Sequence, residues 1–120
     1  MQEYKEKFRV KAEDCILDIN ANLPSLLGTY TLVKWMEIVS ARNINQTIDT
    51  QKYITVGEKV CIEHTEMVKL DEEVEIISHI VKEEKREIYF EIEAKVDQKI
   101  IATATHKRIK IPLRVLEKML

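Results

Sequence analysis

Several residues of this chain have types and settings that suit general-base or nucleophilic chemistry. Glu37 lies between Met36 and Ile38 in an apolar stretch, where an ionised carboxylate is costly unless it is paired or hydrogen-bonded. A surface pair with Lys34, three residues back, is the plainer alternative. His64 follows the face of Val60 and Ile62, so its ring should point to the core side near the rim of a sheet, a place that suits a general base as well as a packed ring. Thr29 follows Gly28 near the start of a helical stretch, where the simplest role for its hydroxyl is to cap a free backbone N–H. Gly57, in the same strand as His64, marks a bulge or a close approach of a ligand to the backbone. His106 and Arg108 alternate with Thr105 and Lys107, a pattern that ordinarily gives a solvated face, and His79 has no distinctive partner.

The elements that must position these residues follow from the change of hydrophobic period along the chain. Tyr4 to Val10 alternates and predicts a short first strand, ended by the polar break Lys11 to Asp14. Ser25 to Ala41 carries Leu32, Trp35, Met36 and Val39 at helical spacing, with Ile38 broadening the apolar side. After it come a strand from Thr55 to His64, with Val56, Val60 and Ile62 on alternating positions, and a meander of three. The meander comprises Val74 to Val81, Glu87 to Val96, and Lys99 to about Ile111, joined by turns at Lys82 to Arg86 and at Asp97 and Gln98. Pro112 should end the last strand, with a short terminal helix over Leu113 to Leu120. A helix apolar around most of its circumference has to be wrapped, which predicts an α+β fold with a curved antiparallel sheet around it. So small a sheet leaves an edge strand and one helix face uncovered, and a homodimer is the expected way to bury both.

Composition narrows the function classes. With 120 residues, a single domain over 1–120 is expected, and a balance of 45% hydrophobic to 33% charged residues is that of a folding chain rather than a disordered one. The net charge of -2 comes with no basic stripe, so nucleic acid is not an expected partner. The first eight residues have no apolar signal core and no long apolar run suggests a membrane span, so a cytoplasmic protein without a membrane partner is expected. Cys15 and Cys61 stand far apart, and with the three histidines they show no ligand spacing; they are read as small apolar side chains, and no metal is expected.

Taken together, Thr29 to Glu37, Thr55-Val56-Gly57, Val60 to Thr65, and Thr103 to Arg108 resemble the fluoroacetyl-CoA thioesterase-like family of the hotdog superfamily. The resemblance runs from about Leu23 to about Ile111 and includes the spacings from Thr29 to Glu37 and from Gly57 to His64. It implies a dimeric hotdog fold and an acyl-CoA thioesterase with no cofactor, acting on a short or medium acyl-CoA. It also implies a catalytic Thr29, His64 and Glu37 set, with the backbone around Gly57 near the thioester carbonyl and His106 and Arg108 in a supporting or coenzyme-facing role. Eight residues of helix separate Thr29 from Glu37 by about 12 Å along the axis. Either Thr29 lies on a bend before the helix and folds back, which is the expectation, or a second subunit completes the set. The family's aromatic lid is not matched, since the only phenylalanines are Phe8 and Phe90, so halogen selectivity does not carry over. A non-catalytic acyl-CoA-binding dimer, an interaction dimer without ligand, and a dehydratase of related fold are the other classes.

Overall fold

The computed structural model describes residues 2–16 and 24–120; Met1 and residues 17–23, among them Leu23 where the resemblance begins, lie outside the description. Strand β1 (Gln2–Arg9) is followed by a 3-10 turn at Ala12–Asp14, and helix α1 spans Thr29–Asn45. Then come β2 (Tyr53–His64), β3 (Glu73–Glu84), β4 (Glu87–Val96), β5 (Lys99–Pro112) and a short α2 (Leu113–Met119). The five strands form one sheet in the order β1-β3-β4-β5-β2, every neighbouring pair antiparallel. The expected meander is β3-β4-β5, and β2 crosses over to the far edge.

The sheet wraps α1, as the apolar circumference of that helix requires. Leu32, Trp35, Met36 and Val39 are buried, and they pack with Val74 and Ile76 of β3 and with Ile88, Phe90, Ile92 and Ala94 of β4. On β4 the alternation is as expected, with the carboxylate of Glu91 on the outer, exposed face. Phe8 of β1 stacks on Trp35 with ring centroids 4.8 Å apart. Among the described residues no helix is long and apolar enough to cross a membrane.

Both ends of the helix and the facing of β2 differ from expectation. The helix begins at Thr29 rather than Ser25, because Leu26 and Leu27 are held in isolated β-bridges to Lys69 and Cys15. It continues past Ala41 to Asn45, because its last turns are anchored by polar side chains that a hydrophobic pattern does not register. The inward phase of β2 also changes along its length. Thr55 is buried and Val56 exposed, whereas Val60 and Ile62 are half-buried against the core. The cause is a bulge: Gly57 pairs with Arg108 and Lys59 with Lys107, leaving Glu58 as the extra residue. Cys15 is buried as expected, but Cys61 is exposed on the outer side of β2.

The anchor at the helix C-terminal end is a buried polar network. Ser40 Oγ and Ser78 Oγ lie 2.9 Å apart, and Asn43 Nδ2 donates to Ser78 O at 2.9 Å and to Gln2 O at 3.3 Å. It ties α1 to β3 and β1 at fixed register, and every member that loses a partner leaves another unsatisfied. Asn43→Ala is therefore expected to destabilise the fold by about 2–3 kcal/mol, with a lowered urea midpoint and an unchanged m-value in equilibrium unfolding.

Candidate active site

The expected site residues fall into two groups on α1 and the neighbouring strands. At one end, Thr29 Oγ1 and His64 Nδ1 are 2.9 Å apart. The helix cap is Gly28, not Thr29, so the threonine is the first helical residue and its hydroxyl serves the histidine instead of the backbone. Local contacts hold this helix start in place: Gly28 N and Thr31 Oγ1 donate to Asp14 O at 3.0 and 2.9 Å, and Tyr30 Oη donates to Cys15 O at 2.9 Å. His64 is the last residue of β2, with Thr65 N fixed by Ile101 O at 2.9 Å. The buried Nε2 of His64 has no hydrogen-bond partner among the described residues. If Nδ1 accepts from Thr29, Nε2 carries the proton and needs an acceptor that none of the described residues supplies.

At the other end Glu37, Gly57, His106 and Arg108 come together. Glu37 Oε1 and Arg108 Nη1 are 3.9 Å apart, and the Glu37 side chain keeps 42% of its surface exposed. The ion partner of Glu37 is thus Arg108 from β5, and no pair with Lys34 forms among the described residues. Gly57 sits directly under that carboxylate: a Cβ there would collide with Glu37 Oε1 and press on His106 Cε1 at 3.3 Å. The glycine is used for a close approach, and the group that approaches is Glu37.

His106 and Arg108 are not on a solvated face. They are 3% and 7% exposed and project inward with Ala102 and Ala104, while Thr105 and Lys107 point outward. The signal that distinguishes the two faces is the pair of small alanines upstream, which continue the core side of β5. Arg108 donates from Nε to Thr55 Oγ1 and from Nη2 to Thr55 O, both at 2.9 Å, and its Nη1 is 3.3 Å from His106 Nε2. His106 Nδ1 is 2.8 Å from Lys59 O, and its ring stacks on Phe90 at 5.5 Å. Burial pushes the His106 pKa below its usual 6.5; the Lys59 carbonyl opposes this, Arg108 adds to it and Glu37 opposes it. Burial likewise lowers Arg108, partly offset by Glu37. His79 lies 3.9 Å from Glu3, away from both groups.

Thr29 and His64 on one side and Glu37 and Gly57 on the other, which the family resemblance groups together, therefore stand apart within the chain. Thr29 does not fold back toward Glu37, because both are on one continuous helix, about 12 Å apart along its axis. Gly57, under Glu37, and His64 are seven residues apart on β2, or about 20 Å. Phe8 and Phe90 are each engaged in stacking, on Trp35 and His106, so neither is free to act as an aromatic lid. Among the described residues no group of three His, Cys, Asp or Glu side chains gathers to hold a metal ion.

A five-stranded antiparallel sheet wrapped around one long helix is the hotdog fold of the thioesterases. The sequence profile of the fluoroacetyl-CoA-specific thioesterases matches residues 10–113, and the chain belongs to that family of thioester hydrolases. Its fold is similar to that of a thioesterase-superfamily protein of Thermus thermophilus, with a TM-score of 0.88 at 18% identity over 98% of this chain and 86% of the other. It is similar to that of the fluoroacetyl-CoA thioesterase FlK, with a TM-score of 0.86 at 19% identity over 98% and 90%. A hot-dog-like protein from Thermanaerovibrio acidaminovorans gives 0.87 at 14% identity over 98% and 86%. No curated protein matches the chain in sequence.

The seat of Glu37 gives a direct test. Gly57→Ala is expected to displace the carboxylate and slow thioester hydrolysis by roughly 10–100-fold, with a circular-dichroism melt showing that the fold survives. A variant with the wild-type rate would remove Glu37's seat from the chemistry.

Proposed function

We propose that the chain is an acyl-CoA thioesterase working as a homodimer, in which Thr29 and His64 of one protomer are completed by Glu37 of the other. The observation that carries this reading is the 2.9 Å contact between Thr29 Oγ1 and His64 Nδ1, together with the unpartnered Nε2 on the far side of the ring. A nucleophile within reach of a base, with the base awaiting an orienting group, is the arrangement of covalent acyl transfer. Coenzyme A as the thiol is supported by FlK, one variant of which has been solved with fluoroacetate and CoA and another with acetyl-CoA.

Edge strand β2 supplies the geometry for the dimer. Thr65 N bonds to β5, so by alternation Glu63, Cys61 and Lys59 also face β5, while Val60, Ile62 and His64 present their backbone groups to the free edge. A two-fold axis near Cys61 would pair Val60 with Ile62 of the second protomer. The Gly57 corner of each chain would then lie beside His64 of the other. Glu37 would arrive with it, its Oε2 free of hydrogen bonds among the described residues, to accept from His64 Nε2–H. The same pairing covers a row of unpaired edge groups.

In the proposed reaction His64 takes the Thr29 proton as the hydroxyl oxygen attacks the thioester carbonyl. The tetrahedral intermediate expels the coenzyme A thiolate, which leaves as the thiol with the proton from His64. Water, activated by His64 in turn, releases the acid and restores Thr29. Glu37 of the second protomer stabilises the imidazolium formed in each half, and in this reading the N–H of that protomer's Glu58, the extra residue of the bulge next to Gly57, faces the oxyanion. A short or medium acyl group is the expected substrate.

Thiol release from acyl-CoAs running from acetyl to decanoyl, with an aryl-acyl member, tests the activity. Turnover of at least one member is expected, lowered by roughly a hundredfold or more but still measurable in His64→Ala and in Glu37→Gln while the protein stays folded. Tight acyl-CoA binding without turnover would make the protein a sensor or store. Mixing Thr29→Ala with Glu37→Gln protein under exchange conditions tests the shared site. Re-formed mixed dimers contain one intact site each, so about a quarter of wild-type activity is expected to return. No recovery, with mixed dimers shown by mass spectrometry, would place the whole set within one protomer.

A further inference from the structure

Histidine 106 makes no contact with the Thr29–His64 pair, yet its two ring nitrogens face partners of opposite demand. Nδ1 is 2.8 Å from the carbonyl of Lys59, which can only accept, so Nδ1 carries the proton. Nε2 is 3.3 Å from Arg108 Nη1, which can only donate, so Nε2 presents its lone pair. Both neighbours select the same neutral tautomer. Arg108 is in turn held on three sides, by Thr55 Oγ1, Thr55 O and His106, and the remaining reach of its Nη1 is toward Glu37 Oε1 and Gly57.

We propose that His106 is a positioning residue for thioester hydrolysis: as the neutral Nδ1–H tautomer it locks the Arg108 guanidinium beside one oxygen of Glu37 and so aims the other toward the histidine that Glu37 serves. The proposal rests on the reading of Glu37 as the partner of His64. A 3.9 Å separation is too long for a hydrogen bond, so Glu37 is held by a fixed cation rather than a tight bidentate pair, and its second oxygen stays available. The guanidinium must be rigid for that to work, since a mobile arginine would follow the carboxylate. A proton on His106 would set Nε2–H against the guanidinium and unseat it. The charged and titratable groups facing the ring are Arg108 on β5 and Glu37 on α1, with the Lys59 carbonyl on β2 and the Phe90 ring on β4. Burial lowers the His106 pKa and the Arg108 charge adds to this, in the direction that favours the neutral ring its two neighbours select.

Two substitutions separate positioning from filling. In His106→Gln the amide can donate to Lys59 O and accept from Arg108, whereas His106→Phe keeps the stacking and volume but does neither. Nitrogen-15 NMR of the wild type at pH 7 is expected to show His106 protonated at Nδ1 and bare at Nε2. Arg108 Nη protons should be resolved in the wild type and in His106→Gln, and averaged in His106→Phe. With the preferred acyl-CoA, His106→Phe should lower kcat by roughly a hundredfold with little change in KM. His106→Gln should recover to within about fivefold, and His106→Phe should add under threefold to the loss in Glu37→Gln, as residues acting through one another do. An Nε2–H or doubly protonated ring at pH 7, freely rotating guanidinium signals in the wild type, or multiplicative losses in the double variant would overturn the proposal. Absence of wild-type turnover on every acyl-CoA would instead strike the hydrolase reading, with the NMR signals still deciding whether the clamp exists.

Discussion

The extra residue in β2 is the constraint on which the arrangement of functional side chains depends. Strand side chains alternate with a strict period of two, so an unbulged β2 that kept Thr55 inward would turn Val60, Ile62 and His64 outward. His64 could then not meet Thr29. The same insertion brings a glycine under the carboxylate of Glu37 and carries Lys59 O to the ring of His106. One irregularity in hydrogen bonding thus orients residues at both ends of a long strand, and it lies directly after Gly57, the residue whose type marked a bulge or a close approach to the backbone.

Much of this was legible because the signals were hydrophobic and periodic. The burial of Leu32, Trp35, Met36 and Val39 on one helix, and the alternation from Ile88 to Ala94, follow from pattern alone. The pairing of Thr29 with His64 was reachable through a family resemblance, not through spacing, because the residues are remote in sequence and meet only when β2 crosses to the far edge of the sheet. The parts that escaped have a common cause. Leu26 and Leu27 look helical but answer to backbone bridges; Val56 looks inward but lies before the bulge; His106 and Arg108 look solvated but satisfy each other and Thr55 in the interior. Each turns on hydrogen bonding between distant segments, for which a single sequence carries no local sign.

Polar contacts fix α1 at both ends and apolar contacts fill its middle. At the C-terminal end, Ser40 and Asn43 bond to Ser78 and Gln2, and at the start the chain around Gly28, Tyr30 and Thr31 is bonded to Asp14 and Cys15. Apolar packing alone lets a helix slide or rotate at small cost, since many rotamer sets fill a core of the same volume. Directional bonds at each end remove that freedom, and they are expensive to leave half-made. The helix is therefore held in rotation as well as in depth, a requirement for any helix that presents functional groups on more than one turn.

Thr29 and Glu37 are carried on one uninterrupted helix, and each is matched to a different point of the same strand. Such a segment has no tolerance for a change of length. One residue inserted between them would turn everything beyond it by about 100° and advance it by about 1.5 Å, so that whichever contact was kept the other would be lost. The turn between α1 and β2 carries no such burden. Divergence among chains built this way should accordingly show a fixed count of residues from Gly28 to Asn45, with length variation confined to the connections.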